Sequence, residues 1–79
     1  MFINKTKDGK NNLCGVNIAS FRKELKISQK KLADKLQLAG LDIDKNAIQR
    51  IESGQRFITD IELVYFAKVL EKTINELYG

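Results

Sequence analysis

The 79-residue sequence contains no histidine, no proline and no tryptophan, and its one cysteine is Cys14. Without histidine and with one cysteine, a single chain cannot supply the usual ligands of a zinc site. General acid–base catalysis also lacks its commonest side chain, so we expect no metal, no other cofactor and no enzymatic activity. An unpaired cysteine indicates a reducing compartment, and we expect Cys14 to be a small packing residue.

The absence of proline and of long apolar segments narrows the fold class. Most of the chain consists of helix-forming residues that no proline interrupts, so the composition favours an all-α domain. No apolar run approaches the ~20 residues that span a bilayer, and no secretory signal is visible. A hydrophobic content of 43% is enough for one small domain with a modest core.

The chain begins with a segment, residues 1–13, that is rich in Lys, Asn and Gly and has little periodicity. We expect a mobile arm here, followed by one folded domain over residues 14–79. Contact of the arm with phosphate or with the minor groove, and simple disorder, are both open at this point.

Hydrophobic spacing and end signals predict the first two helices of the domain. Helix 1 runs from about Val16 to Lys26, and three apolar residues at helical spacing form its buried stripe: Ile18, Phe21 and Leu25. Ser28 is placed to cap helix 2, and Gly40 to end it. Residues 37–42 then lead into the next helix.

Capping boxes predict the last two helices. Thr59 with Glu62 opens helix 4, and Thr73 with Glu76 opens a short helix 5. The residues expected to face the core from these helices are Leu63, Phe66, Ala67, Leu70 and Leu77.

Helix 3, about residues 45–53, has two different faces. Asp44 is placed as its N-cap and Gly54 as the glycine after its end, while Ile48 and Ile51 point towards the core. On the opposite side lie three side chains whose donors and acceptors match base edges in the major groove: Asn46, Gln49 and Arg50. A short helix with an apolar back and this polar front is what a recognition helix requires.

The charge is unevenly distributed. Residues 1–56 contain twelve Lys and Arg against six Asp and Glu, a formal charge of +6, whereas residues 57–79 contain two against four, a charge of −2. The basic part includes helix 3, and Lys and Arg replace the counterions of phosphate, so this distribution favours a polyanionic partner. The total of +4 is equally compatible with ordinary surface solvation.

Several of these segments occur together in an order that resembles a known family. They include Ile27-Ser28-Gln29 opening helix 2, Arg50-Ile51-Glu52-Ser53-Gly54 ending helix 3, and Thr59-Asp60-Ile61-Glu62-Leu63 opening helix 4. From Ile18 to Leu77, about three quarters of the chain is similar to the helix-turn-helix domain of phage repressors and Cro proteins, the XRE family. The resemblance implies a five-helix domain.

The resemblance also implies functional residues, since the second helix of a helix-turn-helix lies in the major groove. Candidate base contacts are Lys45, Asn46, Gln49 and Arg50. Gln29 is a candidate phosphate contact at the start of helix 2, where free N–H groups favour an anion. Ser53 and Arg56 follow helix 3 and are further phosphate candidates. Arg22 and Glu52 correspond to a structural ion pair.

Each of these residues also has a simpler interpretation. The alternatives for Arg50 are a contact with guanine, a contact with phosphate, or a solvated surface side chain. The alternatives for Asn46 are a hydrogen bond to adenine or one to the terminus of its own helix. Lys45 is a contact or a free lysine, and Gln49 borders both faces of helix 3.

Two features depart from the family's usual pattern. About five additional residues separate Ala33 from Ile48, which we interpret as an extended turn between helices 2 and 3, and this leaves the docking angle open. Glu71 and Lys72 stand where glycine and an apolar residue are usual, so we expect a less regular junction between helices 4 and 5.

The resulting hypothesis is a cytoplasmic, prokaryotic or phage-encoded regulator, a repressor that binds specific duplex DNA. The alternative is a protein-interaction or antitoxin-like module on the same fold. Both readings use an expected exposed apolar patch made of Tyr65, Ile74, Leu77 and Tyr78. In the first it joins a homodimer that reads a near-palindromic site, at least on DNA, and in the second it binds another protein.

Overall fold

The computed structural model describes Gly9, Lys10 and residues 12–79, and the described residues contain five helices and no strand. The helices are α1 (Gly15–Glu24), α2 (Gln29–Ala39), α3 (Lys45–Glu52), α4 (Asp60–Leu70) and α5 (Ile74–Tyr78). The predicted all-α class and the number of helices are therefore confirmed. No helix in the described part of the chain is long and apolar enough to cross a membrane.

The predicted N-caps of four helices are confirmed. The Ser28 hydroxyl accepts the Lys31 N–H at 3.0 Å, and the Asp44 carboxylate accepts the Ala47 N–H at 2.8 Å. Both predicted capping boxes are complete, at Thr59 for α4 and at the start of α5. These contacts satisfy N–H groups that a first helical turn leaves without a partner, so each helix begins where its cap stands.

The core lies between α1, α2, α3 and α4, and α5 closes it against α1 and α4. Phe66 is its largest fully buried side chain. Around it lie the apolar residues of every helix: Ile18, Leu32, Ala33, Leu36, Ile48, Ile51, Leu63, Ala67, Leu70 and Leu77. Cys14 is also buried there, and burial raises the pKa of its thiol, so it is a packing residue as expected.

The predicted buried stripe of α1 is wrong at its last residue. Leu25 is 42% exposed because α1 ends at Glu24 and Leu25 is already the C-cap. Lys26 then adopts a left-handed backbone conformation with φ of 58°, which turns the chain towards α2. Phe21, one turn earlier, is partly buried against the core.

The expected apolar patch near the C-terminus does not form as predicted. Leu77 is fully buried, whereas Ile74 and Tyr78 are exposed and Tyr65 is only partly buried. The carbonyl of Leu77 accepts the side-chain amide of Asn17 at 2.8 Å, which holds α5 against α1. Leu77 is the one residue of α5 that packs into the core. Because the predicted patch includes Leu77, the burial of this residue leaves Ile74 and Tyr78 without a common apolar surface.

The connection between α2 and α3 spans residues 40–44 and is ordered. Gly40 ends α2 with φ of 111°, a conformation that glycine adopts without strain, and Leu41 N–H returns to the Leu36 carbonyl at 2.9 Å. The Gln37 amide donates to the Ile43 carbonyl at 2.8 Å, and Ile43 is buried. The extended turn therefore holds α3 in one position relative to α2.

The junction between α4 and α5 is a regular left-handed cap, although glycine is absent from it. Glu71 has φ of 58°, and the Lys72 N–H bonds the Ala67 carbonyl at 2.9 Å. The Lys72 ammonium lies 4.7 Å from the centre of the Phe21 ring, so this side chain covers an aromatic face of α1. The junction is more regular than the sequence indicated.

Replacing Glu71 with glycine removes the steric cost of a left-handed conformation at a residue with a Cβ. We expect Glu71→Gly to raise the free energy of unfolding by about 1 kcal/mol and the melting temperature by roughly 4–8 °C. Lys35→Gly, in the middle of α2, is the control and should lower stability by about 1 kcal/mol. Equal losses in both variants would contradict the assignment of strain to Glu71.

Candidate nucleic-acid interface

The two faces of α3 differ sharply in exposure. Ile48 and Ile51 are fully buried, and α3 packs on α1 and α2 through them. The four predicted base-contacting side chains are all exposed: Lys45, Asn46, Gln49 and Arg50. Because their spacing is i, i+1, i+4 and i+5, the structure brings them together as one strip along the outer side of the helix.

The cations of this strip are available for an external anion. Neither Lys45 nor Arg50 forms an ion pair with any other described residue. A groove of about 330 Å³ lies beside the start of α3 and is lined by Lys30, Ala33, Asp34, Gln37, Asp44 and Lys45. Lys45 belongs to both the groove and the strip, and the other charged residues of the groove are Lys30, Asp34 and Asp44.

The Glu52 carboxylate, on the last residue of α3, links three parts of the domain. It accepts the Arg22 guanidinium at 2.7 and 3.1 Å and the Gln29 side-chain amide at 2.9 Å. Arg22 also donates to the Ile27 carbonyl at 2.8 Å. The Arg22 and Glu52 side chains are only 11% and 8% exposed, so their charges are compensated by each other and by these hydrogen bonds.

Gln29 thus has a partner within the protein. As the first residue of α2 it stands where the helix N–H groups are open to an anion, while its own amide nitrogen is engaged with Glu52. The structure thus gives Gln29 a role in supporting the end of α3, and its contact with phosphate stays a prediction.

The two candidates that follow α3 also have partners within the chain. The Ser53 hydroxyl donates to the Arg50 carbonyl at 3.2 Å. The Arg56 guanidinium donates to both carboxylate oxygens of Glu62, at 3.1 and 2.8 Å, and to the Phe57 carbonyl. The hydrogen bond from Arg56 holds the pKa of Glu62 below its usual value, and Glu62 in turn raises that of Arg56. Arg56 therefore fastens the loop after α3 to the start of α4.

Asn12 is a residue of the site that sequence reasoning missed. Its amide nitrogen donates to the carbonyls of Ile51, at 3.0 Å, and Arg56, at 2.8 Å, and its amide oxygen accepts the Gly15 N–H at 2.7 Å. One side chain thus serves the end of α3 and the start of α1 together. The structure anchors Asn12, although it falls in the predicted mobile arm; residues 1–8 and 11 of that arm lie outside the described residues.

The sequence near Asn12 could have predicted its hydrogen bond with Gly15 but not its bonds to the carbonyls of Ile51 and Arg56. Asparagine side chains often accept a hydrogen bond from a backbone N–H a few residues further along the chain, which matches the bond from Gly15, although the N-cap of α1 is Cys14. The two carbonyls that it also binds lie 39 and 44 residues further along the chain. No local pattern reports a contact at that separation.

Gly15 allows the backbones of α1 and α3 to touch. A Cβ built at this position would overlap the Ile51 carbonyl oxygen and come within 2.8 Å of the Asn12 side-chain oxygen. The first atom lies at the end of α3 and the second belongs to the side chain that anchors it, so the absence of a side chain at Gly15 sets how closely α1 approaches α3.

Removing the Glu52 carboxylate should destabilise the domain severely. Glu52→Ala leaves the Arg22 guanidinium buried without its partner, which costs about 3 kcal/mol, and the melting temperature should fall by more than roughly 10 °C. The control is Asp34→Ala, which removes an exposed pair to Lys30 at 3.5 Å and should change stability by less than about 1 kcal/mol. An unchanged melting temperature in Glu52→Ala would refute the structural role of this pair.

Gly15→Ala should also destabilise the domain, although replacing glycine with alanine usually stabilises a helix. Alanine normally stabilises a helix relative to glycine by about 1 kcal/mol, but in Gly15→Ala the overlap with the Ile51 carbonyl has to separate α1 from α3. Thermal unfolding should show a clear loss for Gly15→Ala and none for Ser20→Ala, an exposed change on the same helix. A gain in stability for Gly15→Ala would show that the two backbones are not in contact.

Comparison with known proteins agrees with this architecture. The family model for the helix-turn-helix matches residues 18–77, a span that contains most of α1, all of α2 to α4, and α5 except its last residue. No curated protein and no solved structure matches the chain significantly. Helix-turn-helix domains of this kind bind DNA. The chain belongs to the helix-turn-helix family, in its XRE type.

Proposed function

We propose that this protein is a sequence-specific regulator of transcription, a repressor, which reads the major groove of duplex DNA through α3. The observation that carries the proposal is the strip of Lys45, Asn46, Gln49 and Arg50 on the exposed side of a helix whose other side is fully buried. A helix fits the major groove, where each base pair presents a distinct pattern of donors and acceptors.

Each side chain of the strip has a chemical counterpart on a base edge. The Arg50 guanidinium matches O6 and N7 of guanine, and the amides of Asn46 and Gln49 match N6 and N7 of adenine. Lys45, at the first position of α3, supplies a further contact to a base acceptor near the end of the helix that enters the groove.

Contacts with phosphate would orient the domain on the duplex. Gln29 presents the start of α2, where helix N–H groups favour an anion, and Ser53 and Arg56 lie just beyond the end of α3. Arg56 has N–H groups beyond those bound by Glu62 and Phe57, so it can serve phosphate without leaving α4. These contacts account for affinity and its dependence on salt, and the strip accounts for specificity.

Repression and a dimeric form complete the proposal. A domain that occupies a promoter excludes polymerase by its presence, so repression requires no further activity. One copy reads only a few base pairs, and two copies related by a two-fold axis read a near-palindromic site with twice the contacts. The proposed setting is the cytoplasm of a prokaryotic cell, where an unpaired cysteine stays reduced.

The test is selection of bound duplexes from a random library, with Arg50→Ala and Lys23→Ala in parallel. Both variants lose one exposed positive charge, but Lys23 lies on α1 and outside the strip. We expect the wild type and Lys23→Ala to enrich the same near-palindromic motif. Arg50→Ala should lose its preference at one base pair in each half-site, a discrimination of about 1–3 kcal/mol.

Two results would overturn the proposal. Binding without an enriched motif, the same in all three proteins, would mean that only non-specific charge attraction is present. An identical motif for Arg50→Ala and the wild type would mean that Arg50 does not read a base. In the first case the protein-interaction alternative would take precedence.

A further inference from the structure

The outer side of α4 is an apolar face that nothing in the described chain covers. Ile61 is 67% exposed and Val64 is 54% exposed, whereas Leu63, Phe66 and Ala67 of the same helix are buried. At about 100° per residue, Asp60, Ile61, Val64 and Lys68 fall within roughly 100° of one another around the helix axis. We define these four residues as the α4 face.

The α4 face has opposite charges at its two ends. Asp60 is the first residue of α4 and Lys68 comes eight residues later, so they are about 12 Å apart along the axis and too distant to bind each other. Within the described part of the chain neither of them forms an ion pair. Both side chains are exposed.

We propose that the α4 face is the surface on which a second copy of this chain packs, with the two α4 helices antiparallel and the two-fold axis at Val64. In that arrangement Asp60 lies opposite the partner's Lys68, and Lys68 lies opposite the partner's Asp60. Val64 meets its own counterpart at the centre, with Ile61 beside it. The inference rests on the proposed function, because it identifies the surface that would join two DNA-reading copies.

Symmetry favours a second copy over an unrelated partner. Two-fold pairing requires a surface that is complementary to itself, and a helix with an apolar centre and opposite charges at equal distances from it meets that condition only in the antiparallel sense. Asp60 and Lys68 are each four residues from Val64, one on either side. The pairing therefore satisfies both charges and covers the apolar centre at once.

The size of the face sets the strength of the dimer. One helix face buries less than the ~800 Å² per partner that is usual for a stable complex, so the isolated dimer should be weak and form at roughly 0.1–1 mM protein. Binding to adjacent half-sites brings two copies together, and a weak contact is then sufficient to select the spacing of the half-sites.

The test is reversal of charge at each end of the α4 face. Asp60→Lys alone places two positive residues opposite each other, and Lys68→Asp alone places two negative ones, so each variant should self-associate about tenfold more weakly than the wild type. A mixture of the two variants restores both pairs. Sedimentation equilibrium and native mass spectrometry should therefore detect a heterodimer as strong as the wild-type homodimer.

The matched controls are Asp42→Lys and Lys23→Asp, which reverse exposed charges outside the α4 face. Alone or mixed, they should dimerise like the wild type. Thermal unfolding of every variant shows that each one is folded before its association is measured. Val64→Lys provides an independent variant, because it places two positive charges on the axis and should abolish the dimer in a protein that remains folded.

The possible results separate this inference from the proposed function. No excess of heterodimer in the mixture, or a dimer that all these variants form equally well, would overturn the pairing through α4. A wild-type chain that stays monomeric over the whole range would also overturn it and point to another occupant of the face. The duplex selection with Arg50→Ala does not depend on these results, so each idea can fail while the other stands.

Discussion

The position of the exposed polar strip of α3 (Lys45, Asn46, Gln49 and Arg50) depends on the buried carboxylate of Glu52. It is the last residue of α3, and it receives hydrogen bonds from Arg22 of α1 and from Gln29 at the start of α2. Three donors converge on two oxygen atoms in a nearly dry environment, where an unpaired charge on either side is costly. The end of α3 is thereby bound to α1 and α2, and these bonds fix the orientation of its exposed side relative to the rest of the domain.

Polar contacts from other parts of the chain complete this support. Asn12 binds two carbonyls near the end of α3, Gly15 lets the α1 backbone touch it, and Arg56 ties the following loop to α4. At the opposite end, Asp44 caps the helix and Gln37 holds the preceding turn. An eight-residue helix is marginal by itself, so these anchors hold α3 in place on the domain.

Local patterns in the sequence predicted the helices well because caps act over three or four residues. Ser28, Asp44, Thr59 and Thr73 each bond a backbone group within their own first turn, and Ile48 with Ile51 repeats at helical spacing. The same patterns placed Leu77 in the core correctly but failed for Leu25, and the separate expectation of an exposed patch that included Leu77 was wrong. Whether an apolar residue at the end of a helix is buried depends on where the chain turns and on what packs there.

The sequence alone determined that this protein is a five-helix domain of the helix-turn-helix family and that one side of α3 is polar and basic. It could do so because capping, periodicity and composition depend on residues that are close together in the chain. Only the tertiary structure decided which polar groups serve the fold and which are left for a ligand. The Asn12 amide bonds two carbonyls that folding brings close to it, whereas Lys45 and Arg50 form no ion pair among the described residues. Such pairings depend on distances between helices, and the order of residues along the chain does not contain those distances.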